Sequence, residues 1–299
     1  MSLQDEMLRI ARDAGGAMRT REHRERVVKE FCRCLRERNI QTRHVGDIKV
    51  RLIKNYIDHL RERGLGQRTL QNTMAALRTV LTAAGRGPFA EHRELSNAAL
   101  GLSGASRDGT HEAIDDAHYQ EAWAQVLQLD HTGGVGSVMA LQRKLGLRAL
   151  EALRPRADTF TRWEQEALKD GVIHVIEGTK GGRPRKQSVI DQEGALASIR
   201  HAQQVLAQNN TVCLVNGKSG TLKSAYDRYH RVLRTAGLRG ARASHGLRYA
   251  WADQAMAFYR THDYSLREAL ALVAQDLGHG DGRGRYVAQV YYGRRKEGA

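Results

Sequence analysis

Apolar residues recur at three- and four-residue steps between basic residues over 20–86, a pattern that restricts this part of the chain to amphipathic helices. The segments REHRERVVKEFCRCLRERN and VRLIKNYIDHLRERG each carry one such apolar stripe, and a glycine follows the second. A third helix is expected to start near Gln67 and to end at Gly85. The sequence therefore predicts an all-α domain over residues 18–87, with arginine on its solvated faces.

The chain carries a large positive charge. It contains 48 Lys and Arg residues against 33 Asp and Glu residues among 299, which gives a formal net charge of +15 at pH 7. Such an excess points to a polyanionic partner, and nucleic acid is the first candidate. The alternative, a membrane surface, is disfavoured because the sequence has neither a run of about 18 apolar residues nor a signal-peptide core. We expect a cytoplasmic protein that does not associate with membranes.

The basic residues of the helical domain are the predicted phosphate contacts. Any one of them could equally be an ordinary solvated side chain. Their number on one small module favours contacts with a nucleic-acid backbone instead. These residues are Lys49, Arg51, Lys54, Arg68 and Arg78.

Two patterns that could indicate a cofactor are weak. VNGKSG resembles part of a phosphate-binding loop, but Val212 stands where the required earlier glycine would be. The spacing of Cys32, Cys34 and Cys213 fits neither a zinc site nor a disulfide framework. We therefore expect no nucleotide, no metal and no other cofactor.

A second domain is predicted after a linker. The segment 88–111 is rich in Gly, Ser and Ala and has weak periodicity, which is typical of an interdomain linker. The helix AIDDAHYQEAWAQVLQL then opens a domain over 112–299, with an aspartate placed to cap its first turn.

Three motifs in this second domain carry residues suited to chemistry. QRKLGLRALEALRPRADTF predicts a helix with Arg148 and Glu151 on one face. GVIHVIEGTKGGRPRKQSVI has two β-prone runs around a glycine-rich turn, which predicts a hairpin with Lys180 at its tip. SHGLRYAWADQ places His245 and Arg248 three residues apart on a helix.

The C-terminal segment DLGHGDGRGRYVAQVYYGRR contains an isolated histidine, His279, followed by Tyr286, Tyr291 and Tyr292. Aromatic residues are only 6% of the chain, so such a cluster in a glycine- and arginine-rich segment is not typical of a hydrophobic core. One of these phenols is therefore a candidate nucleophile.

The order Arg, Lys on a hairpin, H-x-x-R, L-G-H and Tyr resembles the tyrosine recombinase family, the integrases of phages and other mobile elements. GLRALEAL is similar to its first-arginine box and GTKGGRPR to its β2–β3 hairpin, and IKNYIDHLRERGLGQRTLQNTMAALRTVLTAAG resembles its helical core-binding domain. The resemblance spans most of the chain. It implies a mainly α fold with a small antiparallel β-sheet, in which a helical core-binding domain precedes a catalytic domain.

The resemblance also implies roles at a phosphodiester. Arg148 and Arg248 would neutralise the charge that develops on the phosphate oxygens, because guanidinium groups bind such oxygens bidentately and stay protonated. Glu151 would orient the first arginine. Lys180 would protonate the leaving 5′ oxygen from the mobile hairpin.

For the attacking tyrosine, the resemblance implies a nearby imidazole that accepts its proton. His245 is the better candidate, and His279 would then donate to the phosphate. The family places its nucleophile about nine residues after the L-G-H histidine, and no tyrosine here has that spacing. If GRG is a short insertion, VAQVYY aligns with the nucleophile helix and Tyr291 is the nucleophile, with Tyr292 and Tyr286 as alternatives.

The function implied is a site-specific recombinase that cleaves and rejoins DNA through a 3′-phosphotyrosine, without metal or ATP. Its partner would be double-stranded DNA at core recombination sites. The free protein would be a monomer and would form a homotetramer on synapsed DNA. Two alternatives are a non-catalytic DNA-binding protein derived from an integrase and, with less support, a type IB topoisomerase.

Overall fold

The computed structural model describes residues 2–106, 108–109, 111–280 and 282–292. Contacts between Cα atoms divide the chain into two compact units, Met1–Ser106 and Arg107–Ala299. Within these described ranges, no helix combines the length and the apolar composition needed to cross a membrane.

Over residues 2–106 the first unit is built from amphipathic helices. They are α1 (Leu3–Asp13), α2 (Met18–Glu37), α3 (Val50–Glu62), α4 (Gln67–Ala83) and the short α5 (Gly87–Ala90). Their apolar stripes meet in one core, where the rings of Phe31 and Tyr56 pack edge to face at 5.2 Å. The three helices predicted from periodicity are present. In addition, α1 packs on α2 and α4, so the helical unit begins before the predicted residue 18.

The segment that follows α5 also packs in this core, although the sequence predicts a linker over 88–111. Its buried leucines are Leu95, Leu100 and Leu102. Arg78 donates a hydrogen bond to the Leu95 carbonyl, and Arg61 donates one to the Leu100 carbonyl at 2.6 Å. The structure thus differs from the predicted bounds, because irregularly spaced leucines give no periodic signal while arginine side chains satisfy the carbonyls of the irregular backbone.

Nine helices lie in the described residues of the second unit. They are α6 (Asp116–Leu129), α7 (Gly134–Leu145), α8 (Ala149–Leu153), α9 (Ala157–Asp170), α10 (Gln192–Asn209), α11 (Leu222–Thr235), α12 (His245–Thr261), α13 (Leu266–Asp276) and α14 (Gly284–Tyr292). Helix α7 is buried along almost its whole length, because it packs against α10 and α12. It also contacts α6 and α8 and so lies at the centre of these helices.

A glycine break separates α7 from α8. Gly146 ends α7 with a φ of 60°, and a Cβ at this position would lie 2.6 Å from the Trp251 ring. Arg148 then stands in extended conformation as the N-cap of α8, and the Glu151 carboxylate accepts a hydrogen bond from the Arg148 amide at 2.7 Å. The single continuous helix predicted over this segment is therefore wrong, and Arg148 and Glu151 are paired by a helix cap instead of by a shared helix face.

The predicted hairpin is present. Strands β1 (Val172–Val175) and β2 (Arg185–Ser188) pair antiparallel, with Val175 opposite Arg185. The turn between them holds Lys180 at an exposed position, next to two glycines with φ of 73° and 69° that allow the chain to reverse. The predicted fold class, mainly α with a small antiparallel β-sheet, is confirmed.

Leu95→Ala should destabilise the first unit, because Leu95 is fully buried although it lies outside every long helix. We expect a loss of about 2–4 kcal/mol from the lost burial and the cavity left behind. Hydrogen–deuterium exchange of the α3 and α4 amides measures this loss of stability. Leu127→Ala, at a position that is 48% exposed in the second unit, is the control and should leave this exchange unchanged. Unchanged exchange in both variants would contradict the packing of the segment after α5.

Candidate active site

The buried carboxylate of Glu151 lies at the centre of an arginine cluster. It accepts hydrogen bonds from Arg148 Nη1 at 2.7 Å and from Arg185 Nη1 and Nη2 at 2.7 and 2.9 Å. Arg248 Nη1 lies 3.7 Å from its Oε2 atom. Burial alone would raise the pKa of Glu151, but the charges of the three arginines outweigh it and lower that pKa to about 2. Glu151 is therefore ionised at any physiological pH.

Arg148 is the one arginine of the cluster that keeps a partly exposed side chain. Its Nη2 atom donates to the Leu277 carbonyl at 2.9 Å, and 22% of its side chain is exposed. Burial and the nearby Arg248 lower the pKa of Arg148, but a guanidinium starts so high that it stays protonated. Arg148 thus presents a fixed positive charge to solvent.

Arg248 is fully buried on α12. It donates to the carbonyls of Gly146 and Leu277, so it joins the break before α8 to the end of α13. Its Nε atom has no hydrogen-bond partner among the described residues. The predicted pair Arg148 and Arg248 is therefore brought together around Glu151 and the Leu277 carbonyl. The Arg148 guanidinium is partly exposed to solvent, and that of Arg248 is buried.

Both predicted histidines lie in this unit and are held neutral. His245 is the first residue of α12, and its ring packs edge to face against His111 at 5.3 Å. His279 follows α13, where its amide donates to the Ala274 carbonyl at 2.8 Å. Burial, reinforced by the positive charge of Arg248, lowers the pKa of each imidazole to about 3. Neither ring carries a charge at neutral pH.

The three C-terminal tyrosines have different environments. Tyr291 is 6% exposed, its ring lies 4.2 Å from that of Tyr249, and its hydroxyl is 3.3 Å from Nε2 of His279. The Tyr292 hydroxyl donates to the Ala252 carbonyl at 2.7 Å, on α12. Tyr286 contacts the His279 ring at 4.6 Å between centroids. The structure thus pairs the Tyr291 hydroxyl with a predicted imidazole.

Lys180 opens onto the same cleft as Arg148. The cleft has a volume of about 350 Å³. Its lining residues are Arg148, Thr179, Lys180, Gly181, Arg183, Arg185 and Gly278. The hairpin thus brings the exposed Lys180 to the partly exposed side of the arginine cluster. Within the described ranges, no group of three or more His, Cys, Asp or Glu side chains is arranged to hold a metal ion.

The predicted phosphate contacts of the first unit fall into two groups. Lys49, Arg51 and Arg68 are exposed. Lys54 donates to Glu94 at 2.8 Å, and both side chains of this pair are exposed. Arg78 is half-buried, and its guanidinium donates to a backbone carbonyl inside the unit, so its first role is structural.

Sequence reasoning missed Arg185 and Asp276. Arg185 is 7% exposed and holds Glu151 with both terminal nitrogens, while burial and the neighbouring Arg248 lower its pKa to about 10. The Asp276 carboxylate accepts from the Ser188 amide at 2.9 Å and from the Tyr259 hydroxyl at 2.7 Å. The motif RPRKQS contained a weak signal for Arg185, a cation directly at the start of a strand, but nothing in it distinguishes the buried arginine from its neighbours.

Glu151→Gln should destabilise the second unit by about 3–5 kcal/mol, because it removes the buried negative charge around which three arginines cluster. Tryptophan fluorescence during urea unfolding measures it, since all three tryptophans lie in this unit. The pKa of Glu151 is lower in the folded than in the unfolded state. Its contribution to the stability of the unit is therefore complete above about pH 4.5 and is lost as the pH falls toward 2.

The control for this prediction is Asp227→Asn, which breaks an exposed pair with Lys223 and should cost less than about 1 kcal/mol. Equal effects of the two substitutions would show that Glu151 does not organise the cluster.

Known protein families match both parts of the chain. Two protein-family profiles match the sequence, one described as integrase over residues 101–254 and one as phage integrase, N-terminal, over residues 1–90. No curated protein matches the sequence significantly.

Several solved structures are similar to the chain. The Tn1549 transposon integrase in complex with transposon right end DNA is 14% identical, with a TM-score of 0.56 and coverage of 98% of this chain and 95% of that one. The XerH recombinase in its post-cleavage complex with palindromic difH is 16% identical, with a TM-score of 0.53 and coverage of 93% of this chain and 78% of that one. A lambda integrase tetramer bound to a Holliday junction is 14% identical, with a TM-score of 0.55 and coverage of 94% of this chain and 74% of that one. At these identities the likeness establishes the fold, and together with the two matching family profiles it shows that the chain belongs to the phage integrase family of tyrosine recombinases.

Proposed function

We propose that the protein is a site-specific DNA recombinase that cleaves and rejoins DNA strands through a 3′-phosphotyrosine. The observation that carries this proposal is the hydrogen bond between the Tyr291 hydroxyl and His279, in the same unit as the arginine cluster. A phenol beside a neutral imidazole, with fixed cations nearby, is the arrangement needed for attack on a phosphodiester.

The arginine cluster would stabilise the transition state. Attack adds negative charge to the non-bridging oxygens, and Arg148 and Arg248 are the proposed partners of those oxygens. Arg148 is partly exposed and can reach a phosphate from its described position. Arg248 is fully buried, so its contact with the phosphate requires the site to open locally when DNA binds. Active-site contacts commonly tighten only in the substrate complex.

Two proton transfers accompany the step. The Tyr291 oxygen forms a bond to phosphorus as its proton passes to an imidazole, and the bond from phosphorus to the 5′ oxygen breaks as Lys180 supplies a proton to that oxygen. The sequence favours His245 as the proton acceptor, whereas the hydrogen bond in the structure favours His279. We assign this role to His279 and the phosphate contact to His245. The negative phosphate raises the pKa of both imidazoles when it binds, which makes them stronger bases.

The proposed partner is double-stranded DNA at core recombination sites, bound without metal or nucleotide. Related structures include an integrase tetramer on a Holliday junction and an integrase dimer on a core site. By analogy, we propose a homotetramer on synapsed DNA and a monomer in the free state. The high positive charge of the chain supports the DNA partner.

Tyr291→Phe should abolish the covalent protein–DNA adduct on a nicked suicide substrate, because it removes the attacking oxygen and keeps the ring. Tyr292→Phe is the matched control and should still form the adduct, since its hydroxyl is engaged by the Ala252 carbonyl. The assay is a denaturing gel in EDTA without nucleotide, followed by mass spectrometry of the attached peptide. Wild-type protein that binds DNA but forms no adduct would favour the non-catalytic DNA-binding alternative.

Arg51→Gln should weaken DNA binding and leave the fold intact, because Arg51 is exposed. We expect the slope of log affinity against log salt to become shallower by about 0.9, the value for one lost phosphate contact. Binding titrations at several salt concentrations measure it. Arg78→Gln is the contrasting variant and should lower the stability of the first unit by about 1–3 kcal/mol, since it leaves a buried carbonyl unpaired. An unchanged slope for Arg51→Gln would contradict its phosphate contact.

A further inference from the structure

Arg185 has contacts that join three segments of the second unit. It is the first residue of β2, and both its terminal nitrogens donate to Glu151. Its Nε atom donates to the Asp276 carbonyl at 2.6 Å, at the end of α13. One side chain therefore holds the hairpin, the start of α8 and the segment that leads to His279.

These contacts engage all three side-chain nitrogens of Arg185 and four of its five N–H groups. Its side chain is 7% exposed, and Nη2 also donates to Gln187 Oε1 at 3.2 Å. A direct role in binding the reacting phosphate is therefore disfavoured. Any effect of Arg185 on the reaction must pass through the groups that it holds in place.

The hairpin that carries Lys180 is anchored beside the cluster on both sides of its turn. Before the turn, Gly178 packs so closely on α8 that a Cβ there would lie 2.3 Å from the Leu150 carbonyl oxygen. After the turn, Arg185 is fixed by its bonds to Glu151. Between these anchors lie two glycines with positive φ, which constrain the backbone little. The position of the Lys180 ammonium thus depends on the two anchors.

We propose that Arg185 is a positioning residue that holds Lys180 at the leaving 5′ oxygen, an inference that rests on the proposed function. Arg148 depends less on Arg185, because it keeps its own bonds to both carboxylate oxygens of Glu151 and to the Leu277 carbonyl. Loss of Arg185 therefore affects the delivery of the proton more than the neutralisation of the phosphate.

A chemical substitution in the DNA separates these two effects. In normal DNA the bond from phosphorus to the 5′ oxygen breaks, and that oxygen takes a proton from Lys180. If the 5′ oxygen is replaced by sulfur, the same bond breaks with the electron pair leaving on a thiolate. A thiol has a pKa of about 8.5, whereas a hydroxyl group is far less acidic, with a pKa of about 15.7 in water itself. The thiolate therefore leaves without taking up a proton. The phosphate charge and its arginine partners are unchanged.

The experiment measures single-turnover adduct formation by the full-length protein on two nicked substrates, one normal and one with the bridging 5′ sulfur. Lys180→Gln should be slower on the normal substrate by about 100-fold or more, the usual contribution of a general acid. Arg185→Gln should be slower by about tenfold or more, because a general acid acts only within hydrogen-bond reach of the atom that it protonates. Both variants should regain nearly the wild-type rate on the sulfur substrate.

Two further variants serve as references. Lys186→Gln removes the same charge from the next, exposed position of β2 and should keep the wild-type rate on both substrates. Arg148→Gln should be slow on both, because the phosphate charge is still present. Arg185→Lys keeps the charge and one hydrogen bond to Glu151, so it should show a smaller loss on the normal substrate with the same recovery on sulfur. It serves in place of Arg185→Gln if that variant does not fold.

The outcomes distinguish this inference from the proposed function. Equal losses on both substrates for the Arg185 variants, as for Arg148→Gln, would overturn the link to Lys180, and so would a wild-type rate for Arg185→Gln on normal DNA. If the wild-type protein forms no adduct on either substrate, the proposed function fails and this inference fails with it.

Discussion

The ionised carboxylate of Glu151, buried among three arginines, is the interaction on which the rest of the second unit depends. Like charges brought this close in a water-poor site repel strongly, so the cluster can form only around an opposite charge. Each arginine comes from a different segment: Arg148 from the start of α8, Arg185 from β2 and Arg248 from α12. A single carboxylate thereby fixes the relative positions of the segments that carry the proposed reacting groups.

The same environment determines the protonation of the site. Burial and the neighbouring arginines lower the pKa of His245 and His279, so both imidazoles are neutral and can accept a proton. The arginines themselves make the site positive. A free anion is attracted to the cations, and once bound it favours the protonated imidazole. In the proposed reaction, the arrival of the phosphate would therefore make the proton-accepting imidazole a stronger base. The hydrogen bond between His279 and Tyr291 places the phenol next to the imidazole proposed for this role.

The sequence predicts those features that depend on local pattern. Amphipathic periodicity predicted α2, α3 and α4, and the glycine-rich turn between β-prone runs predicted the hairpin with Lys180. The N-cap position of Arg148 was missed because it depends on Gly146 meeting Trp251 across about 100 residues of chain, a close packing that no local pattern records. The role of Arg185 was missed for the same reason, since its Asp276 contact lies 91 residues away.

The charge of the cluster bears on the choice between an enzyme and a non-catalytic DNA-binding protein. The three arginines outnumber the one glutamate that they surround, and Arg248 is fully buried with an Nε atom that lacks a partner within the described residues. Such an arrangement is unfavourable if it only supports the fold, because apolar residues of similar volume commonly give a protein equal or greater stability. A phosphodiester under attack by a phenoxide carries two negative charges, which a surplus of positive charge stabilises. The surplus of buried positive charge therefore supports the proposed recombinase over a protein that only binds DNA, since cations on the surface are enough for DNA binding.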